Sequence, residues 1–466
     1  MVVSSIDQLI GNTPVMEISG EVTGLKKIKL FAKLEYLNPF GSIKDRIALH
    51  MLNGIKSDLK NGQTVIESSS GNTAKALSLL CSSQKIPFKA ITNRIKYDEV
   101  REILQAIGSQ LEELPGYSDC ADLFDPNDAI QYTKTLARTQ PDKFTHTDQY
   151  FNTNNPLSHE LTTAAEINIE LGKIDYLFGF LGTCGSTFGT GTGLRKYNAN
   201  CKVIGVTSKA GHSIPGGRNM GELHEVGFFT KDFYNDFLPG TVDESIDGML
   251  KLAVDTGILG GPTSGMLFHK SCEYLRKIEK ELEEEGQLEK LDDAKAVFFV
   301  CDRLEPYLGY LRKHRPSVFN ANKNKDGMQL IAEVNELDVP SISADSELLQ
   351  NLKPNTIIVD TRGAFAFAMG HIPNSINIQD GILEDMLRAS KCFGKAHTVI
   401  IVCRLGDSSQ RLAQILANKG IASYSVEGGY QAYKKTGLPV EKSLDEMPNH
   451  QMNNSLKTMS KPVYVS

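Results

Sequence analysis

The sequence predicts an α/β protein of parallel sheets flanked by helices, with a second, smaller α/β unit after it. Three observations carry this expectation. Short β-rich runs at 29–34, 64–67, 88–92, 176–180, 202–207 and 296–301 alternate with helical stretches such as 44–59, 73–84, 98–107 and 156–171. Such alternation marks a largely parallel sheet, because each parallel crossover needs a helix-length connection. A second alternation, with strands near 356–360, 398–403 and 422–426, occupies about 341–442. Finally, 466 residues exceed what one hydrophobic core serves.

Between these units the elements follow in order. Residues 1–316 hold the first alternation. The charge run within 270–295 reads as a solvated helix and turn. Residues 317–340 are Asn/Lys-rich and aperiodic, which predicts a connection. The second unit fills 341–442, and 443–466 form a polar tail.

Lys and Arg number 50 against 56 Asp and Glu, a net charge of −6, with no basic block. That argues against nucleic acid or an anionic membrane as partner. No signal-like leader or bilayer-length apolar run is present, so the cytoplasm is the expected location. The eight cysteines form no C-x-x-C pair, so neither a metal site nor a disulfide framework is expected.

N-P-F-G-S-I-K-D-R (38–46) puts Lys44 just past a Pro/Gly turn, at the start of a helix. A lysine held out of bulk water there forms a Schiff base with an aldehyde cofactor. Taken alone, it reads better as a solvated lysine. E-S-S-S-G-N-T (67–73) lies between a strand and a helix, where backbone N–H groups and hydroxyls stabilise a carboxylate. G-T-C-G-S-T-F-G (182–189) repeats the arrangement, and its glycines let the backbone close around a dianionic phosphate. Each loop alone is a common connector; together with the Lys44 segment they are much more specific.

At this point the chain resembles the fold-type II pyridoxal-phosphate enzymes, in the branch holding cysteine synthase and cystathionine β-synthase. The likeness spans roughly residues 11–306 and rests on seven segments in the family's order. They are G-N-T-P (11–14), N-P-F-G-S-I-K-D-R, S-S-S-G-N-T, Q-Y-F-N-T-N-N-P-L-S-H (149–159), G-T-C-G-S-T, G-G-P-T-S-G (260–265) and D-R-x-E-P-Y (302–307). The resemblance implies a two-subdomain fold, pyridoxal 5′-phosphate as cofactor, a small amino-acid substrate with a sulfur donor, and a homodimer. It implies Lys44 as the lysine bound to the cofactor and the base at the substrate α-carbon. Asn72 would meet the cofactor's phenolic oxygen, and Ser69, Ser70, Thr73 and Gln149 the substrate carboxylate. Thr183, Cys184, Gly185, Ser186 and Thr187 would surround the phosphate. Two positions depart from the pattern. Ser69 stands where Thr is usual, and Cys184 replaces a loop glycine, which would crowd the phosphate without changing the N–H count.

Thr263 aligns with the residue facing the pyridine nitrogen. An aspartate there would keep the nitrogen protonated and suit transamination or racemisation. A neutral hydroxyl favours expulsion of a β-substituent to give an aminoacrylate, which a nucleophile then traps. The alternative is that Thr263 only caps a helix. Arg218, in I-P-G-G-R-N-M-G (214–221), lies in the region that commonly forms a mobile flap over the substrate. The stretch is similar to O-phosphoserine-dependent cysteine synthases, where an Arg meets the leaving phosphate. It reads equally as a solvent-exposed loop arginine. N-T-N-N-P-L-S-H is nearer cystathionine β-synthase, and K-L-F-A-K-L-E-Y-L-N-P resembles 2,3-diaminopropionate synthases. The donor (O-phosphoserine, O-acetylserine or serine) and the nucleophile therefore stay open. A non-catalytic sulfur-carrier or regulatory protein is a further alternative, opposed by the presence of Lys44, Asn72 and the phosphate loop.

Residues 341–442 resemble a single rhodanese domain through I-I-V-D-T-R (357–362), G-H-I-P-N-S-I-N-I (370–378), I-V-C-R-L-G-D-S-S around Cys403, and V-E-G-G-Y-Q-A-Y (426–433). Cys403 ends a strand and precedes a helix, where loop N–H groups stabilise a thiolate or persulfide. Rhodanese loops usually carry Arg five residues after the Cys, where this chain has Ser408. That puts thiosulfate turnover in doubt and leaves persulfide carriage, with a sulfur-carrier partner. A Cys-based phosphatase would need an Arg where Ser409 stands. Fusion raises the effective concentration of carried sulfur at the first unit.

Overall fold

A computed structural model of the protein describes residues 2–319 and 341–443, apart from 61, 94, 96, 97, 115–127, 389–392 and 395. The connection expected at 317–340 lies outside the described residues from 320 onward, and the tail from 444 onward.

The first ten strands are β1 (Val15–Ile18), β2 (Lys29–Lys33), β3 (Thr64–Ser68), β4 (Phe88–Thr92), β5 (Gln110–Glu113), β6 (Phe144–His146), β7 (Tyr176–Phe180), β8 (Lys202–Ser208), β9 (Asp236–Gly240) and β10 (Lys295–Phe299). They form a six-stranded sheet, β1-β2-β10-β7-β8-β9, and a four-stranded sheet, β5-β4-β3-β6. In the larger sheet only β1 runs antiparallel to its neighbour. β7 is buried along its whole length, as a strand with helices on both faces must be. Each sheet has its own core: Leu30, Phe178, Val203 and Phe298 in the larger, Val65, Leu77, Leu80 and Phe88 in the smaller. Two cores and two sheets agree with the two-subdomain architecture expected from the sequence.

Two helical expectations need revision. The stretch 156–171 runs as helix Asn154–Ser158, a π-helical turn His159–Thr163 and helix Ala164–Leu171. The charge run at 270–295 belongs in part to a longer helix, Pro262–Glu284, which buries Met266, Leu267, Phe268, Cys272 and Leu275. Its Glu279, expected in solvent, is 3 % exposed and accepts the N–H groups of Lys26, Lys27 and Ile28 at 2.7, 2.7 and 2.8 Å. The carboxylate supplies partners to three donors just ahead of β2, so burying it is compensated.

The second unit has five strands, β11 (Ser341–Ile342), β12 (Thr356–Asp360), β13 (Ser375–Asn377), β14 (Thr398–Val402) and β15 (Ala422–Val426). They lie in the order β11-β15-β14-β12-β13, every pair parallel. The central β14 alternates in the manner of a strand. Val399 and Ile401 pack with Leu412 and Leu416, while Ile400 and Val402 pack with Ile358, Tyr430 and Tyr433. Among the described residues, no helix is long and apolar enough to cross a membrane.

Candidate active site

Lys44 opens the helix Lys44–Ile55. The turn before it is tied by Asp45, whose Oδ2 accepts the Phe40 N–H at 2.7 Å and whose Oδ1 accepts the Ser42 hydroxyl at 3.2 Å. Gly41, at φ +88, takes a left-handed position that a side chain would strain. Behind the helix, Arg46 is 1 % exposed and reaches Glu35 at 2.7 and 2.8 Å and Glu166 at 2.6 and 2.7 Å. Lys33 joins Glu166 at 2.6 Å. Burial alone would raise the Glu166 carboxyl, but Arg46 and Lys33 bring it down to about 2. Two cations and two carboxylates thus fasten the Lys44 helix to β2 and to Ala164–Leu171. Burial also drives the Lys44 amine below the ordinary lysine value, opposed by Cys301, Asp302 and Cys184 close by. A lowered amine is more often neutral, and so more nucleophilic.

Asn72 and Thr73 begin the helix Asn72–Ser83. Asn72 Nδ2 donates to Asp302 Oδ2 at 2.7 Å, and the Tyr307 hydroxyl donates to the same oxygen at 2.5 Å. This joins the loop after β3 to the segment after β10, across the two sheets. Burial pushes the Asp302 carboxyl up, with Tyr307 and Asn72 opposing. Thr73 Oγ1 donates to Gln149 Oε1 at 2.9 Å, and Gln149 Nε2 to the Ser68 carbonyl at 2.8 Å. Asn155 Nδ2 continues the chain to the Gln149 carbonyl at 2.7 Å and Thr183 Oγ1 at 3.2 Å. Thr73, Gln149 and Thr183 are therefore brought together. Ser69 Oγ accepts N–H groups from Gly71, the helix N-cap, and Ala74 in the first turn at 3.3 and 3.2 Å, while Ser70 is exposed.

Cys184 is the N-cap of helix Gly185–Arg195 and stands at φ +65, a left-handed position costly for a residue with a side chain. Its thiol does not open to solvent. It is 2 % exposed, belongs to the core of the larger sheet beside the Tyr234 hydroxyl, and is pushed by burial up to about 12. At Gly185 a Cβ would stand 2.0 Å from Asn155 Oδ1, so no side chain fits. Ser186 is partly exposed. Thr187 is fully buried with its side chain against Gly179 of β7, so what it offers the loop is its backbone N–H.

Arg218 lies in the segment after β8, beside the start of this loop. Its N–H donates to the Leu181 carbonyl at 2.9 Å, and its carbonyl accepts the Ser208 N–H at 3.0 Å. The guanidinium sits 5.5 Å from the Tyr150 ring centroid, and its charge reaches Cys184. The expected flap is thus stitched by its backbone at this residue. Thr263 does not cap its helix, because Gly261 holds that position. Its hydroxyl meets the Cys301 thiol, which burial pushes up to about 12 and which neighbours Lys44. Cys301, Asp302 and Tyr307 had no role in the sequence reading, although two of them stand in D-R-x-E-P-Y.

These residues fit pyridoxal phosphate. A desolvated amine stands near the start of helix Gly185–Arg195, whose first N–H groups have no intrahelical partner. Asn155 Oδ1 and Asp302 Oδ1 are buried without a partner among the described residues. Residues 6–302 match the family described as pyridoxal-phosphate dependent enzyme. The chain belongs to this family. Its cofactor is pyridoxal phosphate, and residues 344–436 match a rhodanese-like domain.

Relatives of this fold-type II enzyme include a cysteine synthase of Aquifex aeolicus, 30% identical over 59% of this chain and 84% of that protein. A cystathionine beta-synthase of Apis mellifera is 32% identical over 60% of this chain and 57% of its own length. Among solved structures, a hydrogen sulfide-producing enzyme from Fusobacterium nucleatum superposes with a TM-score of 0.57 at 26% identity, covering 66% of this chain and 99% of that one.

In the rhodanese-like domain Cys403 follows β14 directly and is 3 % exposed. The Gly406 N–H donates to its Sγ at 3.1 Å and the Ser409 hydroxyl at 3.4 Å. Gly429, at φ +57, presses on the cysteine's backbone: a Cβ there would stand 2.4 Å from the Cys403 carbonyl oxygen. The Tyr430 N–H donates to that same carbonyl at 2.8 Å. Arg362 is paired with Asp360 at 2.6 Å and stacked 3.5 Å over the Tyr430 ring. Ser408 Oγ, where a cationic clamp is usual, is buried without a partner among the described residues. Ser409 was read only as a missing arginine; its hydroxyl turns out to touch the sulfur.

Among the described residues, Glu244, His269 and Glu273 come within ligand range of one another. Lys270 Nζ pairs with the two carboxylates at 2.6 and 2.8 Å, so an ammonium already fills that group.

Proposed function

We propose that the chain performs β-replacement on an O-activated serine, O-phosphoserine or O-acetylserine, with a sulfur nucleophile, giving cysteine or a cysteine-like product. The observation that carries this reading is that a desolvated Lys44 amine and the neutral Thr263 hydroxyl both neighbour Cys301. Bound pyridoxal phosphate supplies the electron sink for the pair released at the substrate α-carbon. Lys44 Nζ takes the α-proton and returns it to the same carbon once the nucleophile has added. Ser69, Ser70, Thr73 and Gln149 bind the substrate carboxylate at the N-terminus of helix Asn72–Ser83. Asn72, whose Nδ2 donates to Asp302 at 2.7 Å and more weakly to the Tyr307 hydroxyl at 3.4 Å, would turn that second, longer bond to the cofactor's phenolic oxygen. Thr183, Cys184, Gly185, Ser186 and Thr187 offer N–H groups to the phosphate, with hydroxyls from Thr183 and Ser186. Arg218 pairs with a departing phosphate, which favours O-phosphoserine.

In this reading Cys403 carries persulfide sulfur, loaded by a sulfur-carrier partner; two equivalents of a small thiol reduce the persulfide, leaving as their disulfide, and the sulfide released serves the Lys44 site of a cytoplasmic homodimer while Cys403 returns as a thiol. Relatives named cysteine synthase support sulfur as the nucleophile; the Apis mellifera relative favours cystathionine formation as a second reading. The test offers O-phosphoserine, O-acetylserine and serine, each with sulfide, homocysteine or glutamate, and identifies products by mass spectrometry. O-phosphoserine with sulfide is expected to give cysteine. Product from serine and homocysteine alone overturns the substrate assignment. Unchanged persulfide-dependent turnover in Cys403→Ala overturns the coupling.

A further inference from the structure

We propose that Ser409 and Ser425 form a two-hydroxyl switch that donates to the Cys403 sulfur when that sulfur is charged and withdraws when it is not. The inference rests on Cys403 as the sulfur-carrying residue, and names the groups that let its charge change in a dry site. Ser409 stands in the first turn of helix Asp407–Asn418, Ser425 on β15, and both are fully buried.

The argument is a count of hydrogens. Ser409 Oγ lies 3.4 Å from Cys403 Sγ, 2.9 Å from the Gly406 carbonyl oxygen and 2.8 Å from Ser425 Oγ. Ser425 Oγ lies 3.4 Å from the same Gly406 carbonyl. A hydroxyl carries one hydrogen, so Ser409 serves one acceptor at a time. With a neutral sulfur, Ser409 donates to the Gly406 carbonyl and Ser425 donates to Ser409. With an anionic sulfur, the Ser409 hydrogen turns to Sγ, where the bond is charge-assisted. Ser425 then turns to the Gly406 carbonyl, which keeps a partner. Both hydrogens are used in either state, and no buried carbonyl is abandoned. The Gly406 N–H donates to Sγ in both.

Sulfur transfer requires that change of charge. A nucleophile attacks the terminal sulfur of the Cys403 persulfide, the S–S bond breaks, and its electron pair stays on Sγ as a thiolate. With cyanide the terminal sulfur leaves as thiocyanate, and no oxidant or proton is consumed.

The test uses the full chain, loaded with polysulfide and checked by mass spectrometry for added sulfur on the Cys403 peptide. Cyanolysis is expected to slow about tenfold in Ser409→Ala and about threefold in Ser425→Ala, with Ser409→Thr within about twofold of wild type. Thermal melts identify any variant that fails to fold; Ser425→Ala then carries the test if Ser409→Ala is lost. Wild-type rates in the folded alanine variants overturn the switch. Failure of the wild-type chain to take sulfur on Cys403 overturns the carrier reading instead. In that case alkylation of Cys403 by iodoacetamide still reads the switch, and its rate is expected to fall in the same order.

Discussion

After β7 the chain passes Cys184 at φ +65 and enters helix Gly185–Arg195; after β14 it passes Gly406 at φ +101 and enters helix Asp407–Asn418. Both loops leave a buried parallel strand and present backbone N–H groups at a helix start. They differ in where the cysteine stands. In the first it occupies the helix cap and its thiol is packed into the core, so the loop's donors remain for an anion that arrives from outside. In the second it ends the strand, and the Gly406 N–H already serves the chain's own sulfur. One backbone device therefore yields a binding loop or a reactive residue, depending on a shift of a few positions.

The largest way to break this comparison is at Lys44 and Cys403, the two proposed nucleophiles. Lys44→Ala is expected to lower β-replacement by about a hundred- to ten-thousandfold. It should also abolish cofactor label after borohydride reduction, whereas Cys403→Ala keeps the label. Mass spectrometry finding the label on another lysine would undo the assignment of the first site.

Next come the two glycines that admit no side chain. Gly429→Ala meets backbone at a left-handed φ and is expected to destabilise the rhodanese-like domain by about 3 kcal/mol. Gly185→Ala meets the buried Asn155 side chain rather than backbone, so a smaller loss of about 1–2 kcal/mol is expected, with weaker cofactor retention. Urea titrations read both. Equal losses would mean the two loops are equally rigid, against the comparison.

A smaller effect separates the loops by pH. Burial pushes the Asp45 carboxyl, in the turn carrying Lys44, from 3.8 up to about 7, against the Phe40 N–H, Lys75 and Ser42. The folded chain thus keeps this proton to higher pH than the unfolded chain does. Stability of the first unit is expected to fall as pH rises from about 4 to about 7, and Asp45→Asn to flatten that slope by about 2 kcal/mol. Melts across this range that show the same slope in the variant would remove Asp45 as its source. Smallest of all, inorganic phosphate at about ten times its Kd should stabilise the cofactor-free first unit by about 1.4 kcal/mol. The same phosphate should leave iodoacetamide capture of Cys403 unchanged; slowed capture would show that the second loop also accepts outside anions.

What the sequence made legible follows from burial. Tyr176–Phe180 read correctly because a strand covered on both faces is a continuous apolar run. Gln110–Glu113 and Asp236–Gly240 escaped notice because edge strands tolerate charge and, as at Pro239, proline. Glu279 was misjudged because a charged residue is usually solvated, and the three N–H groups it satisfies lie about 250 positions away in the chain. The same distance hid Asp302: its bond to Asn72 spans 230 positions, and no local pattern announces it. Lys44 and Cys403, by contrast, each sit where a turn or strand meets a helix start, and for Lys44 that local signal became specific only beside the two Gly/Ser loops.

The ion network behind Lys44 has a consequence for how such an enzyme diversifies. Arg46, two residues further along the same helix, is welded through Glu35 to the turn just past β2 and through Glu166 to a neighbouring helix. The Lys44 amine therefore has a footing independent of the loops that the proposed substrate would meet. Residues there, Arg218 among them, are free to be exchanged for others that suit a new leaving group or nucleophile, while the anchor of the chemistry stays where it was.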